Sequence, residues 1–257
     1  MHNRSVKRAN RDARREARRQ DKSQSSQLKL VDSNFSEVNL PLAKADRSKI
    51  EPKNPMQQKY WDGLHAHDVV IGIGEAGSGK TFLPTCYAAE RLMAKDVEKI
   101  IVTRPVLQAD EDLGFLPGDV NEKFAPYFRP VYDILLKRLG GGMLNYCMKP
   151  GVEKVEVAPF AFMRGRTFSD SVVILDEAQN VTVMQMKMFI TRMGENTTVI
   201  INGDLTQCDL PKGVKSGLED LLERIERDPE NGFPIYRFNA ADSVRSEICS
   251  KALKLYK

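Results

Sequence analysis

The feature that most constrains this chain is the run at residues 74–81, which reads GEAGSGKT and fits the pattern G-x-x-x-x-G-K-[ST]. The apolar residues 69–73 before it predict a buried strand, and residues 82–93 after it predict a helix. A glycine-rich loop between a strand and a helix lets several backbone N–H groups converge on one anion, which the helix N-terminus also attracts. The sequence therefore predicts a phosphate-binding loop at residues 74–81, called the phosphate loop below.

The residues of this loop have distinct predicted roles. The ammonium group of Lys80 can reach the β- and γ-phosphates of a nucleotide, and the hydroxyl of Thr81 can bind Mg²⁺. The remaining loop residues and the one after them are expected to surround the phosphates. The predicted cofactor-binding residues here are Gly74, Glu75, Ala76, Gly77, Ser78, Gly79, Lys80, Thr81 and Phe82.

A second predicted strand carries the acids that a phosphate loop needs as partners. Residues 172–175 read VVIL and predict a buried strand, which Asp176 and Glu177 follow directly. Asp176 is expected to hold Mg²⁺ through water, and Glu177 is expected to polarise the attacking water molecule. Lys80, Asp176 and Glu177 are therefore predicted to be catalytic.

A third predicted strand, at residues 199–201, also ends in polar residues. The run NGDLTQ after it places Asp204 and Gln207 where a γ-phosphate would lie, so that both would respond to its loss. Further strands are predicted at residues 99–106, 153–158 and 235–238, and a helix is predicted at 217–227. Strands that alternate with helices are typical of an α/β protein with a mostly parallel sheet flanked by helices.

The charge of the chain is unevenly distributed. Residues 1–22 hold nine basic and three acidic residues, a net charge of +6, although the whole chain carries only +4. Residues 1–50 contain few apolar side chains and predict a basic arm that is disordered or helical, followed by one domain at residues 51–257. Such an arm is compatible with folding on RNA and equally with a solubilising tail, because charge alone attracts any polyanion.

The composition is typical of a soluble globular protein, with 41% hydrophobic and 29% charged residues. The sequence contains neither a run of 18 apolar residues nor a secretory signal, so we expect no membrane association. Four cysteines lie far apart in the chain, which is typical of reduced thiols in a cytoplasmic protein.

Three local patterns predict further elements. Asn54 and Pro55 predict the start of a helix, on which Gln57 reads from the residues alone as a surface glutamine. The three glycines at 140–142 predict a flexible connection. Residues 124–132 contain four aromatic residues and predict a loop that is either a stacking platform for bases or a local core.

A capping box at residues 182–185 predicts the start of another helix. We expect this helix to end at Gly194 and to turn Met184, Met188 and Phe189 toward the core. The methionines are interpreted as core packing and not as a cofactor site.

Taken together, these motifs resemble the PhoH family of phosphate-starvation-inducible P-loop ATPases. The likeness runs from residue 54 to residue 257 and rests on several segments besides the phosphate loop. These are TRP at 103–105, LGFLPGD at 113–119, MRGRT at 163–167, LDEAQN at 175–180, QMKMF at 185–189, GDLTQ at 203–207 and DLPKGVKSGL at 209–218.

The resemblance implies a RecA-like fold close to the helicase core of superfamily 1, hydrolysis of ATP with Mg²⁺, a role in RNA metabolism and a ring-shaped homohexamer. It also implies that Gln57 reads the adenine of ATP. The nucleic-acid candidates on this reading are Arg104, Arg164 and Arg166.

A ring of this kind needs a cation on the γ-phosphate, which ring ATPases commonly take from the neighbouring subunit. Arg245 is the residue favoured for this catalytic role, and Arg166 and Arg192 are its rivals.

The chain departs from the family pattern at three places. Glu75 stands where proline is usual, and a carboxylate there weakens phosphate binding unless it points to solvent. Pro84 stands where alanine is usual and is expected to kink the helix after the phosphate loop. The terminal motif reads DSVR at 242–245 and lacks the usual following histidine, which leaves the role of Arg245 open.

The function favoured by these residues is an ATP-binding and ATP-hydrolysing protein that depends on RNA and is helicase-like. The alternative is a nucleotide-dependent RNA-binding switch without unwinding activity. A small-molecule kinase is disfavoured, because Gln179, Asp204 and Gln207 form a helicase-like set. The predicted body has room for one RecA-like lobe, so translocation would depend on an oligomer.

Overall fold

A computed structural model describes residues 44–105 and 120–244 of the chain. In this part, six strands form one sheet in the order β3-β2-β4-β5-β1-β6, and every neighbouring pair is parallel. The α/β fold class is thereby confirmed. The strands are β1 (Val69–Gly74), β2 (Lys99–Arg104), β3 (Val155–Pro159), β4 (Ser171–Leu175), β5 (Thr197–Gly203) and β6 (Ile235–Phe238).

Helices connect the strands and cover the sheet. They are α1 (Pro55–Ala66), α2 (Phe82–Ala94), α3 (Val120–Leu139), α4 (Gly141–Met148), α5 (Val183–Ile190) and α6 (Gly217–Arg227). The predicted start of α1 is confirmed, because the Asn54 side chain caps it by accepting a hydrogen bond from the backbone N–H of Gln57, with Pro55 at the first position. The predicted limits of α6 and β6 agree with the structure.

The central strands are buried on both faces, which is why they read as continuous apolar runs. On one face, Ile71, Val173 and Ile201 share a core with α5 and α6, to which Phe189 and Leu218 contribute. The other face is covered by α1 and α2, whose Tyr60 and Tyr87 are buried there and reach Asn202 and Thr198 of β5. With both faces covered, the edge formed by the carboxyl ends of the strands is left for a site.

The prediction for the helix after the capping box is partly wrong. The capping box itself is present, but α5 ends at Ile190 and not at Gly194. Phe189 is buried as predicted, whereas Met184 is 82% exposed and Met186 is buried in its place. The reason is the helical period, since residues three apart share a face and residues two apart do not.

Two other local predictions are wrong. Gly140, with φ of 78°, closes α3, and the glycines after it begin α4, so residues 140–142 form a helix junction and not a flexible connection. Residues 124–132 lie within a helix and not in a loop. Phe128 and Tyr132 are buried there, so for these two rings the local-core interpretation is correct.

The chain already packs on α3 before residue 51. The backbone N–H of Asp46 donates to the carbonyl of Lys137 at 2.8 Å, the carbonyl of Ser48 accepts from Arg138 at 2.9 Å, and Ile50 is buried. The predicted basic segment at residues 1–22 lies outside the described residues. Among the helices that the structure describes, none combines the length and the apolar composition that crossing a bilayer requires.

Candidate nucleotide-binding site

The phosphate loop opens a cleft of about 340 Å³ at the carboxyl edge of the sheet. Its lining unites the ends of β1, β4 and β5 with one side of α3. The lining residues, called the cleft below, are Ala76, Gly77, Gly79, Lys80, Thr81, Phe82, Pro130, Ile134, Asp176, Glu177, Gly203, Asp204, Gln207 and Val244. Most of the site residues predicted from sequence therefore meet in one place.

The phosphate loop curls around the ammonium group of its own lysine. Lys80 Nζ lies 2.5 Å from the carbonyl oxygen of Gly74 and 2.7 Å from that of Glu75. Gly77 and Gly79 have φ of 86° and 91°, a region that glycine adopts without strain, and these values give the loop its reversal. In the first turn of α2 the N–H groups of Leu83 and Thr85 already donate to the carbonyls of Gly79 and Thr81, so an anion here would depend on the N–H groups of the loop itself.

Glu75 is exposed and its side chain is not part of the cleft lining. The backbone carbonyl of Glu75 accepts hydrogen bonds from Lys80 and from the Ser78 hydroxyl, so this residue shapes the loop through its main chain. Its carboxylate points to solvent, which is the condition under which an acid is compatible with phosphate binding at this position.

Pro84 does not kink α2, contrary to the expectation. It lies in the first turn of the helix, and the flanking bonds from Leu83 N–H to Gly79 O and from Thr85 N–H to Thr81 O are formed at 3.0 and 3.3 Å. Pro84 has no N–H to donate to the carbonyl of Lys80. The side chain of Asn202 replaces that donor, with Nδ2 2.7 Å from Lys80 O.

Asn202 is a site residue that the sequence analysis missed. It is fully buried on β5, and its Oδ1 accepts a hydrogen bond of 2.6 Å from the hydroxyl of the buried Tyr60. A buried amide needs partners for both of its ends, and here Tyr60 and the phosphate loop supply them. The available signal was an asparagine that interrupts the apolar strand sequence TTVIING.

Asp176 lies opposite the phosphate loop at the end of β4. Its two carboxylate oxygens are 3.3 and 3.2 Å from the hydroxyl of Thr81. Burial, followed by the neighbouring charge of Glu177, raises the pKa of Asp176 to about 6. Burial makes the ionised form of Asp176 unfavourable, and a divalent cation would stabilise that form. The Thr81 hydroxyl and the Asp176 carboxylate are therefore oxygen ligands that suit Mg²⁺.

Glu177 follows in a left-handed conformation with φ of 54° and ψ of 40°. Such backbone is uncommon for a residue with a side chain, and here it turns the chain so that two successive acids both line the cleft. The Glu177 carboxylate lies 3.4 Å from the guanidinium group of Arg104 and accepts a 2.7 Å hydrogen bond from Gln179. Arg104 and Gln179 together therefore fix the orientation of the Glu177 carboxylate.

Gln179 joins the ends of β4 and β5. It is buried, its Oε1 accepts from the backbone N–H of Asp204 at 3.0 Å, and its Nε2 also contacts the carbonyl of Gln207 at 3.2 Å. The Asp204 carboxylate in turn accepts from Thr206 and from Gln207 Nε2. The polar cluster predicted from sequence is thus one connected network that reaches Glu177.

Gln57 is buried beside the phosphate loop but does not line the cleft. Its Nε2 donates to the carbonyl of Ser78 at 2.9 Å, and its Oε1 accepts from the backbone N–H of Lys53 at 2.8 Å. Both ends of the amide are therefore bonded to backbone.

The other predicted arginines lie apart from one another. Arg104 is beside Glu177, and Arg164 is exposed in the connection between β3 and β4. Arg166 pairs with Glu156 through two hydrogen bonds of 2.5 and 2.8 Å, near the amino ends of β2 and β3 and thus away from the cleft. Arg192, which follows α5, donates a hydrogen bond from Nε to the carbonyl of Met188 within that helix. Arg245 lies outside the described residues.

Comparison with known proteins identifies the family. The profile described as PhoH-like protein matches residues 49–257. The chain belongs to the PhoH family. It is 60% identical over 211 residues to Protein PhoH of Escherichia coli strain K12, 45% identical over 210 residues to a PhoH-like protein of Mycobacterium tuberculosis strain H37Rv, and 42% identical over 237 residues to a PhoH-like protein of Bacillus subtilis strain 168.

These PhoH matches cover most of the chain but less of the relatives. The aligned region is 82% of this chain and 59% of the E. coli protein, and 91% of this chain and 72% of the B. subtilis protein. The chain thus spans about three-fifths of the length of its E. coli relative. The resemblance inferred from the motifs is confirmed at the level of the PhoH family.

Proposed function

We propose that this PhoH-family protein binds ATP with Mg²⁺ and hydrolyses it. The observation that carries the proposal is the meeting of three strand ends in one cleft, with Lys80 and Thr81 on one side and Asp176 and Glu177 on the other. The 3.2 Å approach of the Thr81 hydroxyl to the Asp176 carboxylate places the two groups that a phosphate-bound cation needs next to the lysine that a phosphate needs.

The cleft has a polar and an apolar part, which suits the two ends of a nucleotide. Lys80 and the backbone N–H groups of the phosphate loop would bind the phosphates, and Thr81 and Asp176 would hold Mg²⁺, which supplies charge neutralisation to the phosphates when bound. The rings of Phe82 and Pro130 and the side chain of Ile134 form an apolar wall, against which a base can stack.

Glu177 is the proposed general base for hydrolysis. It would accept a hydrogen bond from the attacking water and take up its proton as the water oxygen bonds to the γ-phosphorus and the bond from that phosphorus to the bridging β,γ-oxygen breaks, which leaves ADP and inorganic phosphate. Arg104 and Gln179 orient its carboxylate. Through Gln179, a change at Glu177 is transmitted to the backbone of Asp204 at the end of β5, which makes this network a route by which hydrolysis can alter the protein.

We further propose that turnover depends on RNA or single-stranded nucleic acid and that the protein acts as a homohexameric ring. The net charge of +6 on residues 1–22 supports the first part, since basic arms bind phosphate backbones. The presence of a single six-stranded sheet in the described residues supports the second, because one lobe lacks the facing partner that a helicase needs. Arg245 remains the favoured source of a cation in trans.

A nucleotide-dependent RNA-binding switch is the second candidate. The observation in its favour is the Gln179 network, which couples the acid at the cleft to the end of the neighbouring strand and needs no unwinding to act. The two candidates differ in strand displacement, which only the helicase would catalyse.

The test is the rate of ATP hydrolysis with and without single-stranded RNA, followed by displacement of a paired strand. Lys80→Ala should lose nucleotide affinity, whereas Glu177→Gln should bind ATP and turn it over on the order of a hundred- to ten-thousandfold more slowly. Glu75→Gln is the matched control, because it neutralises an exposed acid of the same loop whose side chain is outside the cleft lining. Hydrolysis by Glu177→Gln at the parent rate would refute its assignment as the base.

A further inference from the structure

The amide of Gln57 is placed to act on the phosphate loop and not on a base. It is 4% exposed, and Nε2 donates to the carbonyl of Ser78 inside the loop at 2.9 Å. A Cβ atom added to Gly79 would come within 3.0 Å of the same Nε2, which shows how closely the glutamine packs on the loop. One of the two Nε2 hydrogens of Gln57 and its Oε1 are thus already engaged by backbone groups, and the side chain does not line the cleft.

Gln57 is itself held rigidly at the start of α1. Its backbone N–H donates to Asn54 Oδ1 at 2.8 Å, and its Oε1 accepts from Lys53 N–H at 2.8 Å. Asn54 also donates to the carbonyl of Asp242, and Val244 N–H donates to Gly77 O at 3.0 Å. The helix start, the segment after β6 and the phosphate loop therefore form one closed set of contacts.

The geometry of the peptide group gives this contact a consequence. A trans peptide is planar, so its C=O and the following N–H point in opposite directions. Because the Ser78 carbonyl is bonded to Gln57, the N–H of Gly79 points away from α1, toward the cleft that Gly79 lines. An N–H in that direction can donate to a phosphate oxygen.

Asn202 holds the peptide group between Lys80 and Thr81 in the same way. Its Nδ2 bonds the Lys80 carbonyl at 2.7 Å, so the N–H of Thr81 points away from Asn202. Two buried amides, from α1 and from β5, thus fix two peptide planes of the loop from outside the cleft. Preformed donors of this kind spare a nucleotide the cost of ordering the loop.

We propose that Gln57 is a positioning residue that sets the Gly79 N–H toward the phosphates, so that it contributes equally to the binding of any nucleoside triphosphate and does not read adenine. This inference rests on the proposed nucleotide binding at the cleft. A base-reading glutamine would instead favour ATP over other nucleotides, since its amide would pair with one base edge.

The experiment measures dissociation constants of ATP, GTP, CTP, UTP and inorganic tripolyphosphate for the parent protein and for Gln57→Ala and Gln57→Glu. In both Gln57 variants the dissociation constants of all five ligands should rise by the same factor, on the order of tenfold. The reason is that the buried Ser78 carbonyl loses its hydrogen-bond donor and the loop loses its preset shape. Gln58→Ala and Gln58→Glu are matched controls, since Gln58 is the exposed neighbour on α1 whose side chain donates to Asp62, and they should leave all five constants unchanged.

A second readout uses the acidity of the introduced glutamate. A protonated carboxyl can donate to the Ser78 carbonyl as the amide does, so the deficit of Gln57→Glu should shrink between about pH 8 and about pH 5.5, while that of Gln57→Ala should not. Thermal unfolding of every variant is recorded beside it, because a role in stability alone lowers the midpoint and leaves tripolyphosphate affinity unchanged.

The outcomes separate cleanly. A loss confined to ATP, with tripolyphosphate unaffected, would assign Gln57 to the base and overturn the proposal, as would unchanged constants in both variants. Failure of the parent protein itself to bind any of the five probes would instead refute the proposed function of the cleft.

Discussion

The exchange of donors at Pro84 predicts a measurable coupling between two buried residues. Asn202→Ala removes the donor to the Lys80 carbonyl and the acceptor of the Tyr60 hydroxyl, which is fully buried. A buried polar group that loses its partner costs about 1–3 kcal/mol, so the variant should lose about that much unfolding free energy for the Tyr60 hydroxyl and up to as much again for the part-buried Lys80 carbonyl.

Pro84→Ala should lower that cost, because alanine supplies the backbone N–H that proline lacks and the Lys80 carbonyl can bond within α2. Asn202→Ala should therefore be about 1–3 kcal/mol less destabilising in the Pro84→Ala background than in the parent. Replacing Pro84 also changes the conformational entropy of the unfolded chain, but this change is the same with and without Asn202→Ala and cancels in the double-mutant cycle. Tyr60→Phe is the matched control, since it removes only the other bond of Asn202 and should show no such rescue by Pro84→Ala.

Urea unfolding of the four proteins of this cycle, without nucleotide, gives the free energies directly. Additivity of the Pro84→Ala and Asn202→Ala effects to within about 0.5 kcal/mol would refute the reasoning, because independent sites add to that accuracy. Circular dichroism of the native baselines would show that all four retain the fold.

Three further predictions concern other parts of the chain. Burial raises the pKa of Glu156, but the paired guanidinium of Arg166 and the ammonium of Lys99 together outweigh it and the net pKa is lowered. These pairs therefore stabilise the fold above the ordinary carboxyl pKa and lose this effect as pH falls through the folded value. Arg166→Met should therefore cost about 1–3 kcal/mol at neutral pH, and this cost should shrink steadily as the pH is lowered below the ordinary carboxyl pKa; an undiminished cost in acid urea titrations would contradict this. Deletion of residues 1–22 should weaken RNA binding and reduce the slope of log affinity against log salt by about 0.7 per lost phosphate contact, whereas an unchanged slope would indicate a solubilising tail. Arg245→Ala should leave ATP binding and assembly intact and slow turnover on the order of a thousandfold. Mixing this variant with Glu177→Gln subunits should restore activity only if the arginine acts across a subunit interface. Normal turnover in the assembled Arg245→Ala variant would assign the role to another cation.

The parts of the fold and of the site that could be predicted from sequence are those encoded locally. The phosphate loop needs glycines at fixed spacing between a strand and a helix, and Asp176 and Glu177 follow a short, β-branched apolar run that is typical of a buried strand. Since parallel strands end at one edge, these segments had to meet there. Family membership followed from the same residues.

The remaining features depend on packing between distant segments. Nothing local places Pro130 and Ile134 of α3 in the wall of the cleft or pairs Gln57 with the Ser78 carbonyl. Met184 was predicted inward because methionine is apolar, but the choice of buried face belongs to the neighbours of α5, which take Met186 and Phe189.

The strand order described above has a consequence for synthesis of the protein. Strand β1, which leads into the phosphate loop, lies between β5 and β6, and pairs Val69 with Val199 and Ile71 with Ile235. At translation rates on the order of 5–20 residues per second, this apolar strand waits roughly ten seconds before either neighbour leaves the ribosome. During that interval β1 lacks both its edge partners and the helices α5 and α6 that later cover one of its faces, so it is the segment of the nascent chain that we expect a chaperone to hold.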